Sequence, residues 1–147
     1  MKWEIYNKTS VWKPLSKLEY TIERRGKHIS RVKGECISMR DSRKSAQIDC
    51  YSHCISKLTE RLASPIQKWE YVKGDNTEIV AVSDVVSARI DVSDKGVAIV
   101  FVEDECVWVI LLGKGIGLRQ CVAFADIHAQ MLVTHALEGA LELLEGR

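Results

Sequence analysis

Hydrophobic residues follow a two-residue period in some parts of this chain and a helical period in others. Over residues 18–23 apolar and polar side chains alternate, which predicts a strand with one buried face. Gly26 permits a tight turn after it, and residues 29–39 would form the second strand of a hairpin. The apolar phase slips between Ile29 and Val32, which indicates a bulge in that second strand.

An amphipathic helix is predicted next, capped by Asp41 or Ser42. Its apolar residues fall within about 80° of arc at about 100° per residue; they are Ile48, Tyr51, Ile55, Leu58 and Leu62. Pro65 lacks the amide hydrogen that a helix interior needs. The helix should therefore end before Pro65.

Between residues 68 and 112 the pattern predicts four or five antiparallel strands. Residues 68–73 and 77–82 flank the turn sequence Gly74-Asp75-Asn76, and residues 86–92 alternate as expected for a strand with one wet face. Residues 97–102 and 106–112 are apolar at almost every position. We expect these last two strands to be buried on both faces.

A long helix over about 122–145 completes the predicted elements. Its polar residues form one narrow row at i to i+4 spacing, so it should pack on more than one neighbour. The order of elements predicts an α+β fold, with an N-terminal hairpin, a helix, a four- to five-strand meander and a long C-terminal helix. The helices should pack on a mostly antiparallel sheet, and residues 1–147 should form a single α+β domain.

The near-neutral charge of the chain hides two oppositely charged halves. Residues 1–73 contain 16 Lys/Arg and 8 Asp/Glu, a net of +8, whereas residues 74–147 contain 5 and 12, a net of −7. Either the basic half binds an anionic partner or the two halves face each other, within one chain or between chains. The charged N-terminal segment argues against export, and the five cysteines fit free thiols in the cytoplasm better than a disulfide framework.

The basic half supplies the strongest functional signal. Residues 8–44 contain eleven Lys/Arg against four Asp/Glu, with the aromatic residues Trp3, Tyr6, Trp12 and Tyr20 in or near the same segment. Basic groups on a sheet with aromatic rings nearby are typical of surfaces that bind single-stranded nucleic acid or an acidic protein. The predicted contact residues are Arg24, Arg25, Lys27, Arg31, Lys33, Arg40, Arg43 and Lys44.

An apolar-ligand cavity between the last helix and the sheet is the alternative interpretation. Four residues share one face of that helix and could line such a cavity; they are Phe124, His128, Met131 and His135. Histidines on an apolar face can equally be hydrogen-bonded within a core or an interface.

Signals for other chemistry are weak. The glycine-rich connection at 113–117 lacks the spacing of a phosphate-binding loop. Cys50, His53 and Cys54 do not project in one direction as zinc ligands must, and Cys121 at a helix start has no evident partner base. The sequence thus points to no cofactor, metal or catalytic group, and we expect a protein that binds rather than catalyses.

The sequence also predicts a homo-oligomer, most simply a homodimer. Two all-apolar strands and a helix with a narrow polar stripe need more covering elements than one subunit offers. No membrane partner is expected, because the longest apolar runs are far shorter than the roughly 20 residues that span a bilayer.

Overall fold

A computed structural model describes residues 2–64, 68–72, 77–82, 85–113 and 117–146. The same order of elements occurs two times along the chain: each half forms five antiparallel strands followed by one helix. The predicted α+β fold, with helices on antiparallel sheets and a long C-terminal helix, is confirmed. The predicted turn at residues 74–76 lies outside the described residues.

The first half forms sheet A and helix α1. The strands of sheet A lie in chain order, each antiparallel to the next. They are β1 (Glu4–Tyr6), β2 (Thr9–Leu15), β3 (Leu18–Arg25), β4 (Lys27–Val32) and β5 (Glu35–Arg40), and α1 spans Arg43–Ala63.

The second half forms sheet B and helix α2. Sheet B is again a meander in which neighbours in sequence are neighbours in space. Its strands are β6 (Lys68–Val72), β7 (Thr77–Val82), β8 (Ala88–Val92), β9 (Val97–Val102) and β10 (Glu105–Leu111), and α2 spans Leu118–Glu145.

Sheet A has three more strands than the predicted hairpin. Residues 29–39 are not one bulged strand, because Lys33 and Gly34 adopt positive φ angles of 51° and 78° and turn the chain back. Strands β1 and β2 precede the predicted hairpin. In β2 the alternation is hidden by a register shift between Trp12 and Leu15, at the place where Pro14 cannot donate a ladder hydrogen bond.

Helix α1 begins where the sequence indicated. Ser42 is its N-cap, and the Ser42 hydroxyl accepts a hydrogen bond of 3.1 Å from the backbone amide of Ser45. The helix ends at Ala63, two residues before Pro65. Helix α2 begins at Leu118, four residues earlier than predicted, and the Gln120 side chain accepts a hydrogen bond of 2.8 Å from the Gly117 amide.

The prediction that the last two strands are buried on both faces is wrong for β10. This strand forms one edge of sheet B, and its residues Val109 and Leu111 are 56% and 66% exposed. Register places them beside Ile99 and Val97 of β9, on the face opposite the buried Ala98. Among the described residues, sheet B therefore has large apolar side chains exposed on its outer face.

The core is built from both halves of the chain. One connected cluster contains buried residues from both sheets and both helices. Helix α1 packs on β3, β4 and β5, α2 packs on β8 and β9, and the two helices contact each other. The start of α1 lines a pocket with Leu143 near the end of α2, while Arg61 near the end of α1 hydrogen-bonds Gln130. The helices are therefore antiparallel. Among the described residues, no helix combines the length and apolar character needed to cross a membrane.

A single carboxylate joins the two halves at their edge. Glu103, in the turn between β9 and β10, accepts hydrogen bonds of 2.7 Å from both the amide and the hydroxyl of Ser16 in sheet A. It also accepts one of 2.9 Å from the amide of Ser87. The acidic turn Glu103-Asp104-Glu105 is therefore not simply a solvated hairpin turn, because its first residue fastens sheet B to sheet A.

Replacing Glu103 by Ala should lower the free energy of unfolding by about 2 to 3 kcal/mol, because three charge-assisted hydrogen bonds are lost. Asp104→Ala is the matched control, since both residues have positive φ angles, 55° and 63°, and suffer the same backbone cost. Asp104 contacts Arg89 at an exposed site, so its loss should cost at most about 0.5 kcal/mol. Urea denaturation of both variants measures the difference, and equal losses would contradict the joining role of Glu103.

Candidate anionic-partner interface

Strand alternation divides the eight predicted contact residues between two surfaces. Side chains of Leu18, Tyr20 and Ile22 point from β3 into the core, so Arg24 points to the same side as α1. The residues between them point to the outer face of sheet A. The outer group is Arg25, Lys27, Arg31 and Lys33, and the inner group is Arg24, Arg40, Arg43 and Lys44.

Two arginines of the outer group contact one carboxylate on the same face of sheet A. Glu23 lies 2.6 Å from the Arg25 Nε and 3.1 Å from an Arg31 guanidinium nitrogen. The hydrogen bond from Arg25, followed by the charges of both arginines, lowers the pKa of Glu23. Glu23 therefore stays ionised, holds the two side chains on the outer face, and offsets part of their charge.

Three cations converge on a shallow pocket of the same outer face. Lys17 in the β2–β3 turn, Arg31 in β4 and Lys33 in the β4–β5 turn line a volume of about 370 Å³. The hydroxyl residues Ser16 and Thr21 also line it. Glu19 is the carboxylate among the described lining residues, so positive charge dominates the pocket.

Lys17 was not among the predicted contact residues. Alternate turns of a meander lie at the same end of the sheet, which is why the β2–β3 and β4–β5 turns meet here. That neighbourhood could be recognised only once β2 and the turn at Lys33 were known. The signal available in the sequence was a basic residue in each of two turn-like segments spaced two strands apart.

The inner group does not extend this surface. Arg40 forms a bidentate contact with Asp49 of α1. Its Nε and Nη2 atoms lie 2.7 and 3.2 Å from the two carboxylate oxygens. The hydrogen bond from Arg40 also lowers the pKa of Asp49. Arg43 and Lys44 line a separate pocket of about 430 Å³ at the start of α1. The predicted eight residues thus form two sites rather than one.

The aromatic residues of the basic segment do not form a stacking platform. Trp12 and Tyr20 are 1% and 0% exposed, and the Trp3 indole donates a hydrogen bond of 2.8 Å to Tyr51 of α1. Tyr6, which is 59% exposed, is the aromatic residue left on the surface. The predicted base-stacking contribution therefore reduces to this one ring at the edge strand.

The four residues of the alternative cavity lie in two environments. The Phe124 ring lies 4.5 Å from that of Trp108 in β10 and 6.4 Å from that of His128. Met131 is 54% exposed, and it lines an open groove of about 590 Å³ together with His135. The groove therefore opens on the solvent side of α2, whereas the expectation placed a cavity between this helix and the sheet.

The cysteines of the helices are packing residues. Cys50, Cys54 and Cys121 are fully buried, and burial raises the pKa of Cys50 to about 11 and that of Cys54 to about 12. His53 Nδ1 lies 2.9 Å from the hydroxyl of Tyr20, and burial, followed by the charge of a nearby lysine, lowers the pKa of His53. Within the described ranges, no three His, Cys, Asp or Glu side chains are arranged to hold a metal ion. Of the glycine-rich connection, residues 114–116 lie outside the described residues.

Comparison of the chain with family models, with curated proteins and with solved structures finds no match in any of the three. Any function of the outer face of sheet A must therefore be inferred from the residues of that face. These are cations from two turns and one strand, hydroxyl groups between them, and a paired carboxylate beside them.

Thiol labelling checks the described environments of the cysteines. An aromatic disulfide reagent should modify the two exposed thiols, Cys36 and Cys106, in the native protein at pH 8. The buried thiols should react only after denaturation, because burial keeps the reagent out and raises their pKa values; for Cys50, a pKa of about 11 leaves about one thiolate in a thousand at that pH. The Cys36→Ser/Cys106→Ser variant should give no rapid phase. Rapid labelling in that variant would show that α1 or α2 opens readily.

Proposed function

We propose that this chain is a small cytoplasmic accessory protein that binds the phosphate backbone of nucleic acid through the outer face of sheet A, and that it acts as a homodimer. The observation that carries the first part is the convergence of Lys17, Arg31 and Lys33 on one pocket of that face. Ammonium and guanidinium groups around a concave surface are the chemistry that binds phosphate groups.

The length of the basic surface fits several phosphates in a row. Lys27 and Lys33 lie six residues apart at the two ends of β4, which is roughly 20 Å at about 3.3 Å per residue. Arg31 lies between them, and Arg25 pairs in register with Lys27. A single strand that runs along β4 would therefore meet cations at both ends of its contact and at Arg31, with the Glu23 carboxylate beside Arg31.

Binding of this kind should depend little on base sequence. Affinity for single strands without stacking aromatics comes mainly from phosphate contacts and the release of counterions, and here the large aromatic rings are in the core. The hydroxyl of Thr21, which also lines the pocket, can add a hydrogen bond to a phosphate oxygen. An acidic protein surface is the other class of partner that this charge could attract, and the experiment below separates the two.

Exposed apolar surface supports the homodimer. Val109 and Leu111 on sheet B are 56% and 66% exposed, and Ile127 and Met131 on α2 are 64% and 54% exposed. Clusters of large apolar side chains on a small protein mark association surfaces. The same α2 groove offers little to a small apolar ligand, because such ligands are usually enclosed on most sides.

Replacing Arg31 and Lys33 by alanine should weaken binding to a single-stranded oligonucleotide by about tenfold or more at about 50 mM salt. Two lost phosphate contacts should also flatten the plot of log affinity against log salt by about 1.4. Fluorescence anisotropy of labelled DNA and RNA strands across a salt series measures both effects.

The variant Arg24→Ala/Lys44→Ala removes the same charge from the inner group and should leave the affinity and the salt slope nearly unchanged. Equal losses in both variants would show that binding is not localised to the outer face. If wild-type protein binds neither DNA nor RNA in this low salt, the nucleic-acid proposal fails. Binding to polyglutamate under the same conditions would then identify an acidic protein as the partner class.

A further inference from the structure

Val109 and Leu111 of β10 are more exposed than the residues beside them on the same face of sheet B. They pair in register with Ile99 and Val97 of β9, which are half-buried, whereas Val109 and Leu111 are 56% and 66% exposed. Strand β9 has a neighbouring strand on each side, but β10 has one on one side only. The high exposure of Val109 and Leu111 is therefore that of strand residues without a second neighbouring strand.

The backbone groups of the same two residues also point away from the sheet. The Leu112 amide donates a hydrogen bond of 2.8 Å to the Gly96 carbonyl, so Leu112 directs its backbone groups toward β9. Successive residues of an antiparallel strand alternate between hydrogen-bonded and non-hydrogen-bonded pairs. Ile110 is therefore bonded to β9 as Leu112 is, while Val109 and Leu111 direct their amide and carbonyl groups to the open side of β10.

Strand β10 also differs from the three other sheet edges of the described chain. Proteins protect exposed edges by short strands, bulges, charged side chains or proline. Strand β1 has three residues, β6 carries the ion pair of Lys68 with Glu70, and β5 has a register shift against β4 and a charged residue at each end. The register shift of β10 lies near its start, between Cys106 and Trp108, and residues 108–111 include neither a charge nor a proline. This second half of β10 is thus an edge that can accept another strand.

We propose that the homodimer forms by antiparallel pairing of β10 with β10 of a second copy, so that the two copies of sheet B become one ten-stranded sheet. The two-fold axis lies at Ile110. In this register Val109 pairs with Leu111 of the second copy, and the pair occurs twice by symmetry. Each pair exchanges two backbone hydrogen bonds, so the outward amide and carbonyl groups of both residues are satisfied.

The geometry of the edge favours a second copy as the occupant. A second copy carries the same open edge, so one pairing satisfies both edges and association stops at two subunits. Pairing of β10 with a different edge would leave one β10 open and would continue into a chain of subunits. The antiparallel orientation also separates like charges, because Asp104 and Glu105 lie at the start of β10 and therefore at opposite ends of the interface.

Aromatic side chains beside the edge would be covered by the same pairing. The Trp108 ring of β10 lies 4.5 Å from the Phe124 ring of α2, and both residues are half-buried. Because α2 packs on β8 and β9, Phe124 marks the side of the helix that faces the β10 edge. In the paired sheet both α2 helices lie on one face, on either side of the axis, so each aromatic pair would lose part of its contact with water.

Face-to-face packing of two copies of sheet B is the competing arrangement. It would cover the side chains of Val109 and Leu111, but the ion pair of Arg89 with Asp91 lies on the same face and would have to be desolvated at a cost. It would also leave the outward backbone groups of β10 without partners. Edge pairing accounts for both the exposed side chains and the open backbone groups, which is why it is the better match.

Sedimentation velocity of two variants tests the choice of edge, which rests on the homodimer part of the proposed function. Val109→Pro removes an amide hydrogen that points away from β9 and keeps an apolar side chain, so it should raise the dimer dissociation constant by about tenfold or more. Ile99→Lys adds a charge to the outer face one strand further in, where it would oppose face packing only, and should change the constant by less than about twofold. Circular dichroism checks that both variants fold.

Amide hydrogen exchange of the wild type, measured residue by residue by NMR, tests the pairing without any substitution. At concentrations where the dimer predominates, the amides of Val109 and Leu111 should exchange about tenfold or more slowly relative to the diluted monomer. The Ile110 amide is the internal control, because it is bonded within the sheet in both states and should change much less.

Cysteine cross-linking tests the register in a Cys36→Ser/Cys106→Ser background. Ile110→Cys should form a disulfide-linked dimer under mild oxidation, because its two copies lie directly opposite at the axis with Cα atoms about 4.5 Å apart, a separation that a disulfide spans. Glu70→Cys is the control on the opposite edge of sheet B and should not form a linked dimer.

The outcomes separate the inference from the proposal on which it rests. A monomeric wild type at high micromolar concentration would overturn the homodimer and the edge pairing together, leaving the nucleic-acid measurements unaffected. A dimer that survives Val109→Pro, or in which the Val109 and Leu111 amides exchange as fast as in the monomer, would overturn the edge pairing alone. Slow exchange of both amides at every concentration would show that the same chain occupies the edge and would overturn it as well.

Discussion

Close packing of the two helices against each other and against the sheets is the constraint on which this fold depends. Each five-stranded sheet has one apolar face to cover, and each helix must serve its own sheet as well as the other helix. Small side chains make this possible: α2 buries Ala125, Ala129, Ala136 and Ala140, and α1 buries Ala46, Cys50 and Cys54. Larger residues at these positions would push the layers apart, since interiors have few voids to absorb the added volume.

The same packing places the charges of the chain. The basic first turn of α1, with Arg43 and Lys44, lies beside the end of α2, where Glu142 and Glu145 are located. The basic start of α1 and the acidic end of α2 each lie at the unfavourable end of their own helix dipole, and the antiparallel arrangement sets one next to the other. Some of the positive charge of the first half is thus balanced by negative charge of the second half within one molecule. The outer face of sheet A lies on the other side of its strands and keeps its excess of cations.

Local patterns predicted the elements that have regular periodicity, and failed where the period is broken. The Ser42 cap and the end of α1 before Pro65 follow from local chemistry, as does β9 over Val97–Val102. Strand β2 was missed because the bulge near Pro14 turns both Trp12 and Leu15 inward. The exposure of one face of β10 could not be predicted from its composition, because an apolar run does not reveal that its strand forms a sheet edge.

Recognition of the candidate site failed for a related reason. The basic residues were found, but dividing them between two surfaces requires knowing which turns lie at the same end of sheet A. The joining role of Glu103 requires the docking of two sheets, which no local pattern contains.

The bond between Ser16 and Glu103 also has a consequence for how the chain folds. Strand pairings within each sheet connect neighbours in sequence, so their loops are short and close quickly. By contrast, the Ser16–Glu103 contact between the two halves spans 87 residues, and the Trp69–Asp126 contact that joins α2 to its own sheet spans 57. The topology therefore divides folding into rapid, local formation of each meander and a slower search in which the two halves dock. Until docking is complete, both helix-covered faces remain partly open, and that interval is when an unprotected chain is most prone to aggregation.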